Sequence, residues 1–177
     1  MRDINLPNAL TIFRILALPF CAYALFKNGG DDDSWRIIAF TLFFIVGLSD
    51  ILDGKIARSR NQITEFGKLL DPIADKAMLA TASIGVSILG MLSWWVTAIF
   101  LIREVAVTIL RFAVIKKGVI PASKGAKVKT FFQSFGVGFY ILPLPTWLDI
   151  PRDAFMAAAI YLTIKTGYDY FKSVIKR

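Results

Sequence analysis

Four aspartates stand at helical spacing between two strongly apolar runs, in the stretch 49–76. Residues three or four apart share a face of an α-helix. Asp50 and Asp53 are three apart, with Gly54 and Ala57 close to the same stripe. Asp71 and Asp75 are four apart, and Gly67 lies one turn further back. The stretch reads as two helix ends, each presenting two carboxylates and small residues. A polar turn, roughly 59–65, brings them side by side.

Clustered carboxylates make a hard oxygen-donor set of the kind Mg²⁺ or Mn²⁺ prefers. The plainer reading is solvated acids at helix ends, each in a surface ion pair. The flanking apolar runs weigh against it. An unpaired acid well inside a membrane helix costs roughly 2.5–3.5 kcal/mol. Several on one facing surface need a compensating cation.

Hydrophobic residues make up 56% of the 177-residue chain. Soluble domains usually hold about 45–50%, so the expected class is an all-α integral membrane protein of one domain, 1–177. Runs of about 20 residues cross a bilayer core. Six are expected, at 8–26, 35–57, 68–89, 94–115, 130–144 and 153–170. The fifth is short, interrupted by Gly136, Gly138 and Pro143, and is expected to begin earlier, near Lys124. Pro19 is an expected kink, and Pro72 fits a first helical turn. The expected architecture is a six-transmembrane-helix bundle with a cytoplasm-facing polar cavity.

A net charge of +8 would point to nucleic acid in a soluble protein. Here it reads as cytoplasmic loops and anionic lipid head groups, with no nucleic acid partner. Lys55, Arg58, Arg60 and Lys68 flank one turn, and Lys116, Lys117, Lys124, Lys127 and Lys129 flank another. Lys172, Lys176 and Arg177 end the chain. The alternate turns hold Lys27, Arg36 and Arg152 beside Asp31, Asp32, Asp33, Asp149 and Asp153. Both termini and the aspartates are therefore expected on the cytoplasmic side of a cell membrane. The single cysteine, Cys21, excludes an intrachain disulfide, and the absence of histidine excludes a Ser-His-Asp device and a histidine metal site. Carboxylates remain as candidate bases.

The pattern Asp50-x-x-Asp53-Gly54-x-x-Ala57-Arg58, eight residues, then Gly67-x-x-x-Asp71-x-x-x-Asp75 resembles the signature of the CDP-alcohol phosphotransferases. The resemblance implies a centre of two divalent ions, Mg²⁺ or Mn²⁺, held by Asp50, Asp53, Asp71 and Asp75, with Asp75 as general base. It implies a cytidine pocket at Gly54, Ala57 and Gly67, with Arg58 reaching the pyrophosphate, and a homodimer. Close helix packing is the other use of such small residues in membranes. The implied reaction moves a phosphatidyl group from CDP-diacylglycerol to an alcohol, releasing CMP.

The start NLPNALTIFRILALP, with Asn8, Thr11, Arg14 and Pro19, resembles the phosphatidylglycerophosphate synthase branch. So do Arg103-Glu104, Arg111 and the segment GAKVKT at 125–130, where Ala126 stands in place of that branch's usual Gly. Intramembrane arginines face a cavity or a partner. Arg14, Arg103, Arg111, Lys127 and Lys129 are thus candidate ligands for the phosphate of an acceptor such as glycerol 3-phosphate. The plainer readings are a Glu104–Arg111 ion pair, seven residues apart on one helix face, and ordinary positive-inside charge for the lysines. A cardiolipin synthase or phosphatidylinositol-type enzyme of the same group, and a small Mg²⁺ channel or transporter, stand as alternatives.

Overall fold

The computed structural model describes residues 6–59, 65–114 and 124–175, with the side chains of 9–49, 70, 72–111, 125 and 127–175. Six α-helices form among the described residues. They are α1 (Leu6–Phe26), α2 (Asp33–Ser59), α3 (Glu65–Ile88), α4 (Trp94–Val114), α5 (Lys124–Ile141) and α6 (Asp149–Ile175). Residues 60–64 of the expected turn and 116–123 of the basic connection lie outside the described residues.

Each helix buries a stripe of period three to four, the spacing that keeps residues on one face. In α1 the stripe is Thr11, Arg14, Leu18, Cys21 and Leu25, and in α6 it is Met156, Ala159, Thr163 and Thr166. In α5 it is Lys129, Gln133, Val137 and Ile141. Many of these residues are small or polar. The outward faces also carry many large apolar side chains, with Leu16 64%, Phe20 69% and Ile102 67% exposed. Water-soluble proteins rarely expose contiguous apolar surface on this scale. Helices surrounded by lipid pack through small residues and satisfy polar groups between themselves.

Helix α1 packs on α2 and α3, α5 on α6, and α6 on α4. The turns alternate between the two ends of the bundle. Asp32 caps α2, its Oδ1 accepting from Ser34 N at 2.9 Å and Trp35 N at 3.2 Å. Helix α3 stops where Gly90 adopts φ 71°, and Met91 N donates to Val86 O at 2.9 Å. This is the six-to-one bond that closes helices on a left-handed glycine. Arg36 at the start of α2 donates to the carbonyls of Tyr140, Ile141 and Leu142, within 3.1 Å, and so caps the end of α5.

Three sequence expectations change in detail. Gly136 and Gly138 do not interrupt α5, which runs unbroken over Lys124–Ile141. They admit neighbours: a Cβ at Gly138 would stand 2.9 Å from the Phe40 ring, and one at Gly136 3.3 Å from Met156 Cε. Helix α6 is longer at both ends than 153–170. And among the described residues one stretch, Ala9–Gly30, is long and apolar enough to cross a membrane by length and composition, with hydropathy 1.9. The helices around the site carry ionisable residues in mid-length, as α4 does with Arg103 and Glu104, and this lowers their apolar signal.

Candidate active site

Asp75 lies about half-way along α3, yet its side chain is 52% exposed. A carboxylate facing lipid at that depth would be costly, and this one has a cationic partner. Arg14, 2% exposed on α1, donates from Nη1 to Asp75 Oδ1 at 3.0 Å. The buried guanidinium thus holds the carboxylate from the α1 side.

The next layer joins α3, α4, α5 and α6. Glu104 Oε1 accepts from Arg103 Nη1 at 3.0 Å and from Lys129 Nζ. Arg103 Nη2 continues to Thr166 Oγ1 at 3.2 Å. Lys76 Nζ donates to Thr108 Oγ1, and that hydroxyl donates to the Glu104 carbonyl at 2.6 Å. One turn from Lys129, Gln133 Nε2 donates to Thr163 Oγ1 at 3.0 Å. A single glutamate therefore anchors two cations, one of them also held by an α6 hydroxyl, and an α4 hydroxyl holds Lys76.

The candidate acceptor ligands thus divide. Arg14 is engaged with Asp75, and Arg103 and Lys129 with Glu104. Arg111 and Lys127 are exposed and have no ion pair among the described residues. The plainer alternative, a Glu104–Arg111 pair, does not form; Glu104 takes Arg103 and Lys129 instead. Spacing alone did not single out Lys76 or Thr108. A lysine in mid-helix is nevertheless the same intramembrane signal that marked the arginines.

Asp50, Asp53, Gly54, Ala57 and Arg58 fall in the last turns of α2, and Gly67 and Asp71 in the first turns of α3. Their side chains lie outside the described residues, so Asp75 is the one motif aspartate whose contacts are in view. Among the described residues no group of three or more carboxylate, cysteine or histidine side chains comes together; Asp75 by itself offers oxygen donors of the kind a hard divalent ion takes. A cleft of about 400 Å³ lies at the opposite end of the bundle, lined by Trp95, Tyr140, Arg152, Asp153 and Met156 among others. It contains no motif residue.

The sequence profile of the CDP-alcohol phosphatidyltransferase family matches residues 4–165. The chain belongs to this family. Its members are membrane-associated and generally depend on a divalent metal. The chain is 46% identical over 175 residues to a probable phosphatidylglycerophosphate synthase of Mycobacterium tuberculosis, covering 99% of this chain and 84% of that protein. It is 38% identical over 179 residues to the CDP-diacylglycerol–glycerol-3-phosphate 3-phosphatidyltransferase of Rickettsia felis, covering 98% and 97%. It is 34% identical over 180 residues to the enzyme of the same name in Bacillus subtilis, covering 94% and 93%. The family match contains every position of the aspartate motif, together with Arg14, Lys76, Glu104 and Lys129.

Proposed function

We propose that the protein transfers the phosphatidyl group of CDP-diacylglycerol to glycerol 3-phosphate, giving phosphatidylglycerophosphate and CMP. The observation that carries this reading is full-length similarity to enzymes of that name. The cations gathered around Asp75 agree with it, because a phosphorylated acceptor needs positive charge beside the base.

Asp50, Asp53, Asp71 and Asp75 would hold the divalent ions, Mg²⁺ or Mn²⁺, which supply charge stabilisation for an in-line displacement at phosphorus. Gly54, Ala57 and Gly67 leave room for the cytidine, and Arg58 meets the pyrophosphate. Asp75, oriented by Arg14, takes the proton of the acceptor hydroxyl. The hydroxyl oxygen bonds to the β-phosphorus as the bond to the bridging oxygen breaks, and CMP leaves. Arg111 and Lys127 bind the acceptor phosphate. Arg103 and Lys129 frame it through Glu104.

The unit is one catalytic domain set in a cell membrane by six crossings. Its apolar outer faces contact lipid, and its buried polar layer opens to the cytoplasm. A homodimer is the expected assembly, and a monomeric mass in mild detergent would contradict it. Purified protein given CDP-diacylglycerol with glycerol 3-phosphate and phosphatidylglycerol in direct competition should form phosphatidylglycerophosphate. Preference for phosphatidylglycerol would move the protein to the cardiolipin branch.

A further inference from the structure

We propose that Lys76 is a further substrate-binding residue, an ammonium that meets the phosphate of the acceptor beside Asp75. The inference rests on the reading of glycerol 3-phosphate as acceptor, and adds a residue to its site.

Lys76 follows the base directly in α3 and is partly buried. Its Nζ is tethered to α4 through the Thr108 hydroxyl, a neutral acceptor. Among the described residues no carboxylate lies within ion-pair distance of it. Asp75 is taken by Arg14, and Glu104 by Arg103 and Lys129. Yet Lys76 stands in the electrostatic field of Glu104, Arg111, Asp75 and Arg103, and in turn acts on Lys129. With Arg14, the described side chains of this cluster are five cations and two carboxylates, Glu104 and Asp75.

A cation kept only for structure would be matched as Lys129 is. An ammonium in mid-helix with a neutral tether leaves charge and donors uncompensated, and such a charge is costly in a bilayer. A lysine ammonium has three donors, and Thr108 uses one. A dianionic phosphate supplies both the missing charge and the missing acceptors, and lysine binds phosphate as a point charge. Position distinguishes Lys76 from its neighbours. It lies within the electrostatic reach of Asp75 and is partly exposed, whereas Lys129 is 4% exposed and held by Glu104.

The phosphate chemistry alone fits two sources, the acceptor or the pyrophosphate of CDP-diacylglycerol, and kinetics with each substrate varied separates them. Full-length protein in detergent would be assayed for CMP release as wild type, Lys76→Gln, Lys76→Arg and Thr108→Val. Loss of a charge-assisted hydrogen bond should raise the KM for glycerol 3-phosphate roughly tenfold or more in Lys76→Gln. The KM for CDP-diacylglycerol should stay within about twofold, because the inferred contact is to the acceptor alone. Lys76→Arg should recover most of the acceptor affinity, and Thr108→Val, which frees the tether, should fall between. An unchanged KM for glycerol 3-phosphate, or a rise confined to CDP-diacylglycerol, would overturn the proposal. So would equal losses in the Gln and Arg variants with lowered melting temperatures, the pattern of a structural cation. Wild-type protein that releases no CMP with glycerol 3-phosphate would instead defeat the acceptor reading itself.

Discussion

The contact between Arg14 and Asp75 sets the roles of both residues. A guanidinium that is 2% exposed cannot find solvent, and at 3.0 Å it fixes a carboxylate that is half open. In the proposed reaction Arg14 acts through Asp75. Asp75→Asn keeps the shape but removes the proton acceptor. Its CMP release should fall by roughly 10²–10⁴-fold, the usual contribution of a general base, while CDP-diacylglycerol binding persists. Turnover within a few-fold of wild type would leave Asp75 a structural residue. At this scale the helical placing of the aspartates on α2 and α3 was legible in the sequence, because helical spacing shows itself in one chain segment. The partner of Glu104 was not. Lys129 comes from another helix, twenty-five residues on, and Arg103 reaches its own neighbour with a long side chain. No local pattern encodes either contact.

Helices were legible as long apolar runs, and their glycines were misread for a physical reason. A glycine in a helix costs up to about 1 kcal/mol, so Gly136 and Gly138 read as breaks. What they admit, Met156 and Phe40, lies on other helices. Gly138→Ala should accordingly lower stability by about 1–3 kcal/mol through overpacking, measured by unfolding in detergent. An unchanged midpoint would mean that α2 and α5 can part without cost. The start of α2 gives a pH-dependent case. Its backbone N–H groups, that of Trp35 first, hold the Asp32 carboxyl below its ordinary value. A carboxyl lowered on folding stabilises above its unfolded pKa, and that contribution is lost as pH falls through the folded value. Asp32→Ala should therefore melt lower than wild type at neutral pH. The gap should close in acid, and a gap constant with pH would contradict the cap.

Across the described residues, side-chain burial is in part inverted relative to a water-soluble bundle. Arg14, Lys129 and Gln133 are inside, while Leu16, Phe20 and Ile102 are outside. This inversion supports the membrane reading even where ionisable residues lower a helix's hydropathy. It also gives a topology test. Cys21 is buried, so background labelling should be low. A cysteine placed at Trp147, 73% exposed in the turn before α6, should react with an impermeant maleimide on intact cells. One at Ser173 near the end of α6 should react only after permeabilisation. The reverse pattern would turn the bundle over and remove the site from the cytosol.

The central claim, metal-dependent phosphatidyl transfer to a phosphorylated acceptor, is tested most directly by CMP release from purified protein. CDP-diacylglycerol would be supplied with and without glycerol 3-phosphate, and with and without a chelator. The account predicts CMP only when glycerol 3-phosphate is present, loss of activity in excess chelator, and recovery when Mg²⁺ or Mn²⁺ is restored. CMP release that ignores glycerol 3-phosphate, or full activity in excess chelator, would contradict it.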